Sequence, residues 1–276
     1  MTRLTDRTQL ARNRIRAVRI GLADFLHHAA SDNLRERLGE INKRFTKPVV
    51  VTGLPDLWAR LWPEARIVAD DETLDLKPQS SDLVIHAMAL HWADDPVGQL
   101  IQCRRALRPD GLFLGCLAGG KTLATLRRVL AEAESAVSGG LSPRVAPMAE
   151  IRDMGGLLQR AGFAMPVADG VALNVTYPDL MAMLHDLRAM GETNALANRH
   201  RAPGLRKLFD HAAMTYPKDP SGRLAMEVEI LYLSGWAPAE GQPQPLRPGS
   251  AQSRLAEALG TSELTLPTGP RPKGDN

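Results

Sequence analysis

Apolar residues recur at three- and four-residue steps along the first 45 positions. The series Ala11, Ile15, Val18, Leu22 and Phe25, resuming at Leu34, Leu38, Ile41 and Phe45, predicts two helices over 5–45. Lys47-Pro48 stops helix, and the β-branched run Pro48-Val49-Val50-Val51, closed by Thr52-Gly53, reads as a buried strand. A short helix over 56–64 is followed by a second strand, 66–70, that ends on acids, and a third over 82–86. A helix over 96–107 halts before Pro109-Asp110-Gly111, and Leu112–Leu117 is a fourth strand. Helices at 122–135 and about 147–160 come next. Strands at 165–177 and 224–236, separated by two helices, can form an antiparallel edge.

Strands alternating with helices, each strand closed by polar or glycine residues, predict an α/β fold with a parallel sheet and helical crossovers. The expected layout is N-terminal helices over 1–46 and an α/β domain over 47–236 with a helical insertion at about 178–222. A tail over 237–276, rich in proline, glycine and glutamine, is expected to lack fixed structure.

Composition narrows the class. In 276 residues, 44% are hydrophobic and 24% charged, which excludes disorder for most of the chain. Cys103 and Cys116 stand thirteen positions apart with no CxxC and no His pair nearby, so neither a disulfide framework nor a zinc site is expected, and a reducing compartment is the default. His27 and His28, adjacent on a helix, cannot converge on one metal ion. The net charge is only +3, but residues 1–48 hold eleven basic side chains against five acidic. That basic start is either a solvated helix face, a mimic of an organelle transit peptide, or a segment that meets nucleic acid or an anionic surface. Nucleic acid ranks low, because no aromatic stacking platform accompanies the charges. No apolar stretch reaches the 18 residues or so that a membrane span needs, and no apolar run follows the early arginines as in a secretory signal. Arginine outnumbers lysine 27 to 7, compatible with a GC-rich bacterial source. The expected location is the bacterial cytoplasm.

Several local strings carry a resemblance. They are Ala69-Asp70-Asp71-Glu72, Ala89-Leu90-His91-Trp92 with Asp94-Asp95, Arg108-Pro109-Asp110-Gly111, and Gly119-Gly120-Lys121-Thr122-Leu123. Gly139-Gly140-Leu141-Ser142-Pro143, Leu158–Phe163 and the run from Tyr177-Pro178-Asp179-Leu180 to Met190-Gly191-Glu192-Thr193-Asn194 extend it. Over roughly residues 10–240 the chain resembles class I S-adenosylmethionine-dependent methyltransferases. Within that superfamily it is most similar to the methyltransferase-like assembly factors of respiratory complex I in mitochondria and alphaproteobacteria, which are related to the carrier-protein methyltransferases of biotin synthesis. The resemblance implies a Rossmann-like sheet, S-adenosylmethionine as cofactor, a complex I subunit as protein client and, if that is the client, a position beside the inner membrane. It also implies side-chain modification, which in one member is arginine hydroxylation.

The chain departs from that family where the cofactor would sit. The glycine-rich turn after the first strand is here Val51-Thr52-Gly53-Leu54-Pro55-Asp56; only Gly53 remains, and Pro55 removes an N–H. Only residues 54–69 separate Gly53 from Asp70, too few for two further strand–helix units, so one such unit is expected to be missing. Alternatively the 66–70 strand slides in beside the first, and Asp70 stands where a ribose-binding acid belongs. The candidate cofactor residues are therefore Gly53, Asp70, Asp71, His86 and Trp92. Asp70 and Asp71 can accept hydrogen bonds from ribose hydroxyls or adenine N6, or can be a solvated strand end. His86 follows the third strand but can equally be a satisfied core histidine; Trp92 can wall a pocket or fill core.

His91 is the one candidate for catalysis, as a base near neutral pH. No metal site is expected. Lys121, where relatives tend to carry an acid, completes a formal phosphate-loop match over 115–122, with no later apolar strand ending in a magnesium-binding Asp. Motifs kept after residue 89 and lost at the cofactor turn favour a degenerate methyltransferase acting as an assembly or partner-binding factor, on a client or an active paralogue. The alternative is an active transferase or hydroxylase.

Overall fold

The computed structural model describes residues 3–201 and 206–242. The expected tail therefore lies almost wholly outside the described residues.

Eight helices and six strands occur among the described residues: α1 (Arg7–Ile20), α2 (Phe25–Gly39), β1 (Pro48–Thr52), α3 (Pro55–Leu61), β2 (Arg66–Ala69), β3 (Ser81–Ala87), α4 (Pro96–Ala106), β4 (Leu107–Ala118), α5 (Ala124–Ser138), α6 (Ile151–Arg160), β5 (Ala164–Tyr177), α7 (Leu180–Ala189), α8 (Arg206–Thr215) and β6 (Leu224–Trp236). The strands form one sheet in the order β2-β1-β3-β4-β6-β5. β1 to β4 run parallel, β6 is antiparallel to β4, and β5 is antiparallel to β6.

This is the expected Rossmann-like sheet with one strand–helix unit missing. β2 pairs directly with β1, Thr52 opposite Ala69, and forms the sheet edge. From the end of β2 the chain crosses β1 to β3 in the eleven residues 70–80, without a helix. Leu74 and Leu76 tie that short crossing to the cluster formed by Leu100, Cys103 and Leu107. The short crossing explains why Asp70 emerges next to β1, the second of the two arrangements that the spacing allows.

Alternation along the strands splits the core between the two sheet faces. Val50, Leu83, Ile85, Leu112 and Leu114 pack with Trp58, Leu126, Met183 and Leu208. Val49, Val51, Val84 and Phe113 pack with Leu100, Leu158 and Phe163 on the other side. α2 and α3 are joined by two indole donors, Trp58 Nε1 to His27 Nδ1 at 3.1 Å and Trp62 Nε1 to Ser31 Oγ at 3.0 Å. Burial pushes the His27 pKa down to about 4, so it stays a neutral acceptor. Cys103 and Cys116 are buried free thiols, pushed by burial up to about 12.

Two local findings differ from the sequence pattern. β4 begins at Leu107, because the Arg108–Gly111 turn is absorbed as an irregularity opposite Ser81–Leu83, with Asp110 at φ 61°. More consequentially, α1 is rotated. An amphipathic helix usually turns its apolar stripe inward, yet Ile15 and Val18 are 53% and 59% exposed, while Leu10, Asn13 and Ala17 are buried. The inward face is chosen by polar bonds, described below.

α4 starts on Pro96 with Asp95 capping, its carboxylate accepting from Gly98 N–H at 2.8 Å. Asp95→Ala should cost about 1 kcal/mol, read as a lowered urea midpoint with unchanged slope.

Candidate functional site

Ligands of open parallel sheets collect outside the carboxyl ends of the strands. Register brings Thr52, Ala69 and Ala87 level across β1, β2 and β3, so Gly53, Asp70 and Met88 share one rim. α1 lies across it. Arg14 Nη1 and Nη2 donate to the two Asp70 carboxylate oxygens at 2.8 and 2.9 Å. Arg7 Nη2 adds a contact at 3.3 Å to the same carboxylate and donates to the Asp70 carbonyl. A Cβ on Gly53 would fall inside the Arg14 guanidinium. The Asp70 side chain is only 6% exposed. Burial alone would raise its pKa, but the hydrogen bonds and charge of Arg14, then the charge of Arg7, hold it below the ordinary carboxylate value.

α1 is fastened there by polar bonds. Asp94 Oδ1 accepts from the Leu4 and Thr5 N–H groups, both at 2.9 Å, and Thr5 Oγ1 donates to the Trp92 carbonyl. Asn13 Nδ2 donates to the Thr193 carbonyl and Arg16 Nη2 to Thr193 Oγ1, each at 2.8 Å, while Arg199 pairs with Asp6 at 2.9 Å. The 193–199 segment thus clasps the helix.

S-adenosylmethionine, as the resemblance places it, would need the space above Gly53 and the Asp70 carboxylate. Both are taken by Arg14, so the residues as arranged do not fit that cofactor. The other expected residues lie apart from this pair. Asp71 is exposed, its carbonyl accepting from Gln99 Nε2 at 3.1 Å. His86 is fully buried and donates from Nε2 to Gln99 Oε1 at 2.7 Å, a tautomer fixed by the amide's other bond; burial lowers its pKa. Its Nδ1 has no hydrogen-bond partner among the described residues.

Trp92 and His91 belong to a second feature. A cavity of about 250 Å³ opens between α5, α7, α8 and β6, walled by side chains such as Leu123, Leu126, Leu187, Met190, Phe209 and Met226. At one side of this apolar space stands Glu192. Trp92 Nε1 donates to Glu192 Oε2 at 2.7 Å, and His91 Nε2 lies 3.2 Å from the same oxygen. Burial pushes the Glu192 carboxyl up; the His91 charge and hydrogen bond, the Arg14 charge and the Trp92 N–H outweigh it, leaving the pKa lowered. Arg144 also borders the cavity but is committed to Glu134 at 2.6 Å, whereas exposed Arg188 stands at its rim. A larger hollow of about 630 Å³ lies at the other end of the sheet, by Gln79, Leu107 and Ala237, with no acid among the described residues that line it.

The phosphate-loop reading of 115–122 finds no cradle. The N–H groups of Gly119, Gly120, Lys121, Thr122 and Leu123 donate to Glu229 O, Ala149 O, Glu229 Oε2, Gly119 O and Glu227 O respectively, so none is left to face a phosphate.

Arg14, Arg7 and Glu192 were absent from the sequence-derived candidates. Arg7 and Arg14, two helical turns apart, share the face of Leu10 and Ala17; that spacing was the available signal.

Residues 52–115 match the family described as methyltransferase domain. The chain is 36% identical over 198 residues to the mitochondrial arginine-hydroxylase NDUFAF5 of Danio rerio, an alignment covering 71% of this chain and 61% of that protein. It is 34% identical over 233 residues to the Homo sapiens NDUFAF5, covering 83% and 67%. A malonyl-[acyl-carrier protein] O-methyltransferase of Laribacter hongkongensis is 35% identical over 176 residues, covering 63% and 57%. The chain thus spans about three fifths to two thirds of the animal proteins' length. A third of the residues shared along so much of both sequences, on a sheet of this order, means that the chain belongs to the class I methyltransferase-fold family of the NDUFAF5 proteins.

Proposed function

We propose that this protein is an assembly factor of the complex I type, which holds a cationic side chain of a protein client in the cavity beside Glu192 while its own cofactor seat is closed. One contrast carries this reading: Arg14 fills the space above Gly53, whereas the neighbouring cavity keeps an open apolar wall and an ionised carboxylate. An arginine side chain suits such a space, its methylenes against Leu187 and Met190 and its guanidinium on Glu192. The arginine-hydroxylase name of the relatives agrees with that chemistry. The client is a complex I subunit by resemblance, and an active paralogue is the other partner the reading admits. The outward face of α1, with Ile15 and Val18 beside Arg12 and Arg19, suits a bacterial cytoplasmic protein working at the inner-membrane surface.

A second reading, an active transferase or hydroxylase acting on that side chain, draws on the His91–Glu192–Trp92 group, which borders the place where a client's reactive atom would sit. His91 would there be the base.

The test is calorimetric titration with acetyl-Ala-Arg-Ala-amide and its citrulline counterpart, which keeps the shape and removes the charge. The arginine peptide should bind at least about tenfold more tightly. Equal binding, or none by either, would contradict the client-binding reading.

A further inference from the structure

The contact between α1 and the sheet rim has the make-up of a removable closure. Its grip is polar: two guanidinium groups on one carboxylate, hydrogen bonds from Asn13, Arg16 and Thr5, the Asp94 carboxylate on the Leu4 and Thr5 N–H groups, and the Arg199–Asp6 pair. Its apolar share is small. Leu10 belongs to a satellite cluster with Trp92, Ala146, Ala195 and Leu196, separate from both main core clusters, and the helix's apolar stripe faces solvent. A helix held in this way can leave without uncovering either main core cluster, and the polar groups it frees can be taken up by water. Beneath it, the rim keeps the two features that Arg14 shares with a cofactor: a glycine permitting close approach, and a carboxylate able to accept from a ribose diol.

We propose that α1 is a latch, in which Arg14 and Arg7 act as an internal stand-in for S-adenosylmethionine on Asp70 and Gly53, so that docking of α1 and binding of the cofactor exclude each other. This rests on the closed-seat reading above and adds to it that the seat is covered, not destroyed. By linkage, whatever loosens α1 strengthens cofactor binding, and cofactor binding loosens α1 by the same factor.

The experiment uses the full chain and S-adenosylmethionine, with calorimetry for affinity and amide hydrogen exchange over α1 for docking. Arg14→Ala removes the stand-in directly. Because that change leaves the buried Asp70 with Arg7 alone and can unfold the chain, the pair Asn13→Ala with Asp94→Ala serves as a second variant. It loosens α1 and leaves Arg14, Asp70 and Gly53 in place. The latch predicts at least about tenfold tighter binding in each folded variant than in the wild type. It also predicts faster α1 exchange in the wild type when millimolar ligand is added. Folded variants that bind no better than the wild type would overturn the latch alone and leave the closed seat standing. Micromolar binding by the wild type with α1 exchange unchanged would overturn both.

Discussion

Replacing Arg14 with alanine should lower folding stability by about 3–5 kcal/mol at pH 7, the cost of leaving a buried charge without its partner. Arg7, also on Asp70, places the expected value toward the lower end. For a chain of this length that is a fall in melting temperature of about 10 °C. The pH dependence separates this cause from lost packing. In the wild type the Asp70 pKa is depressed, so its contribution is present above the unfolded carboxyl value of about 3.9 and is lost as pH falls through the lower folded value. In the variant the same buried carboxyl keeps Arg7 alone against its burial, and its folded pKa rises. The penalty is then full at pH 7 and shrinks as the pH is lowered toward 4 and the carboxyl takes up its proton. Urea unfolding of both proteins at pH 7 and 4.5 checks this. A difference that stays constant with pH would mean that Arg14 matters for its bulk alone.

The second large effect is expected at Glu192. Glu192→Gln keeps the shape and the Trp92 bond but removes the charge, and should weaken the arginine peptide by about 10- to 100-fold, as expected for a hydrogen bond to a charged group. The citrulline peptide should be almost unaffected. Reversing the rim charge with Arg188→Glu should act oppositely, tightening the arginine peptide several-fold at low salt and less at high salt. A Glu192→Gln protein that binds both peptides as the wild type does would place the client elsewhere.

Much of the sheet was legible because its signals are local. The Val49–Val51 and Leu83–Ile85 runs are buried on both faces of parallel strands and read as unbroken apolar stretches. The missing strand–helix unit could be read from the number of residues between Gly53 and Asp70, since chain reach is fixed by geometry. The orientation of α1 could not. Its periodicity gave the helix correctly, but Ala11, Ile15 and Val18 form the more apolar stripe, and the face that wins is set by a carboxylate 56 positions downstream. The same long-range pairing hid Arg14, which looks in sequence like one of several solvated arginines. Trp92 was legible as a pocket or core residue, but its partner Glu192 lies a hundred positions away. The Walker-like match over 115–122 misled for the converse reason: its spacing is local, while the acceptors that consume its N–H groups come from Ala149, Glu227 and Glu229.

The central claim, a client-binding member of the family whose cofactor seat is closed by Arg14, is tested most directly by titrating the unmodified protein with S-adenosylmethionine in a calorimeter at pH 7. The account predicts no saturation at micromolar ligand and an affinity no tighter than about millimolar. One-site binding with a micromolar Kd would contradict it.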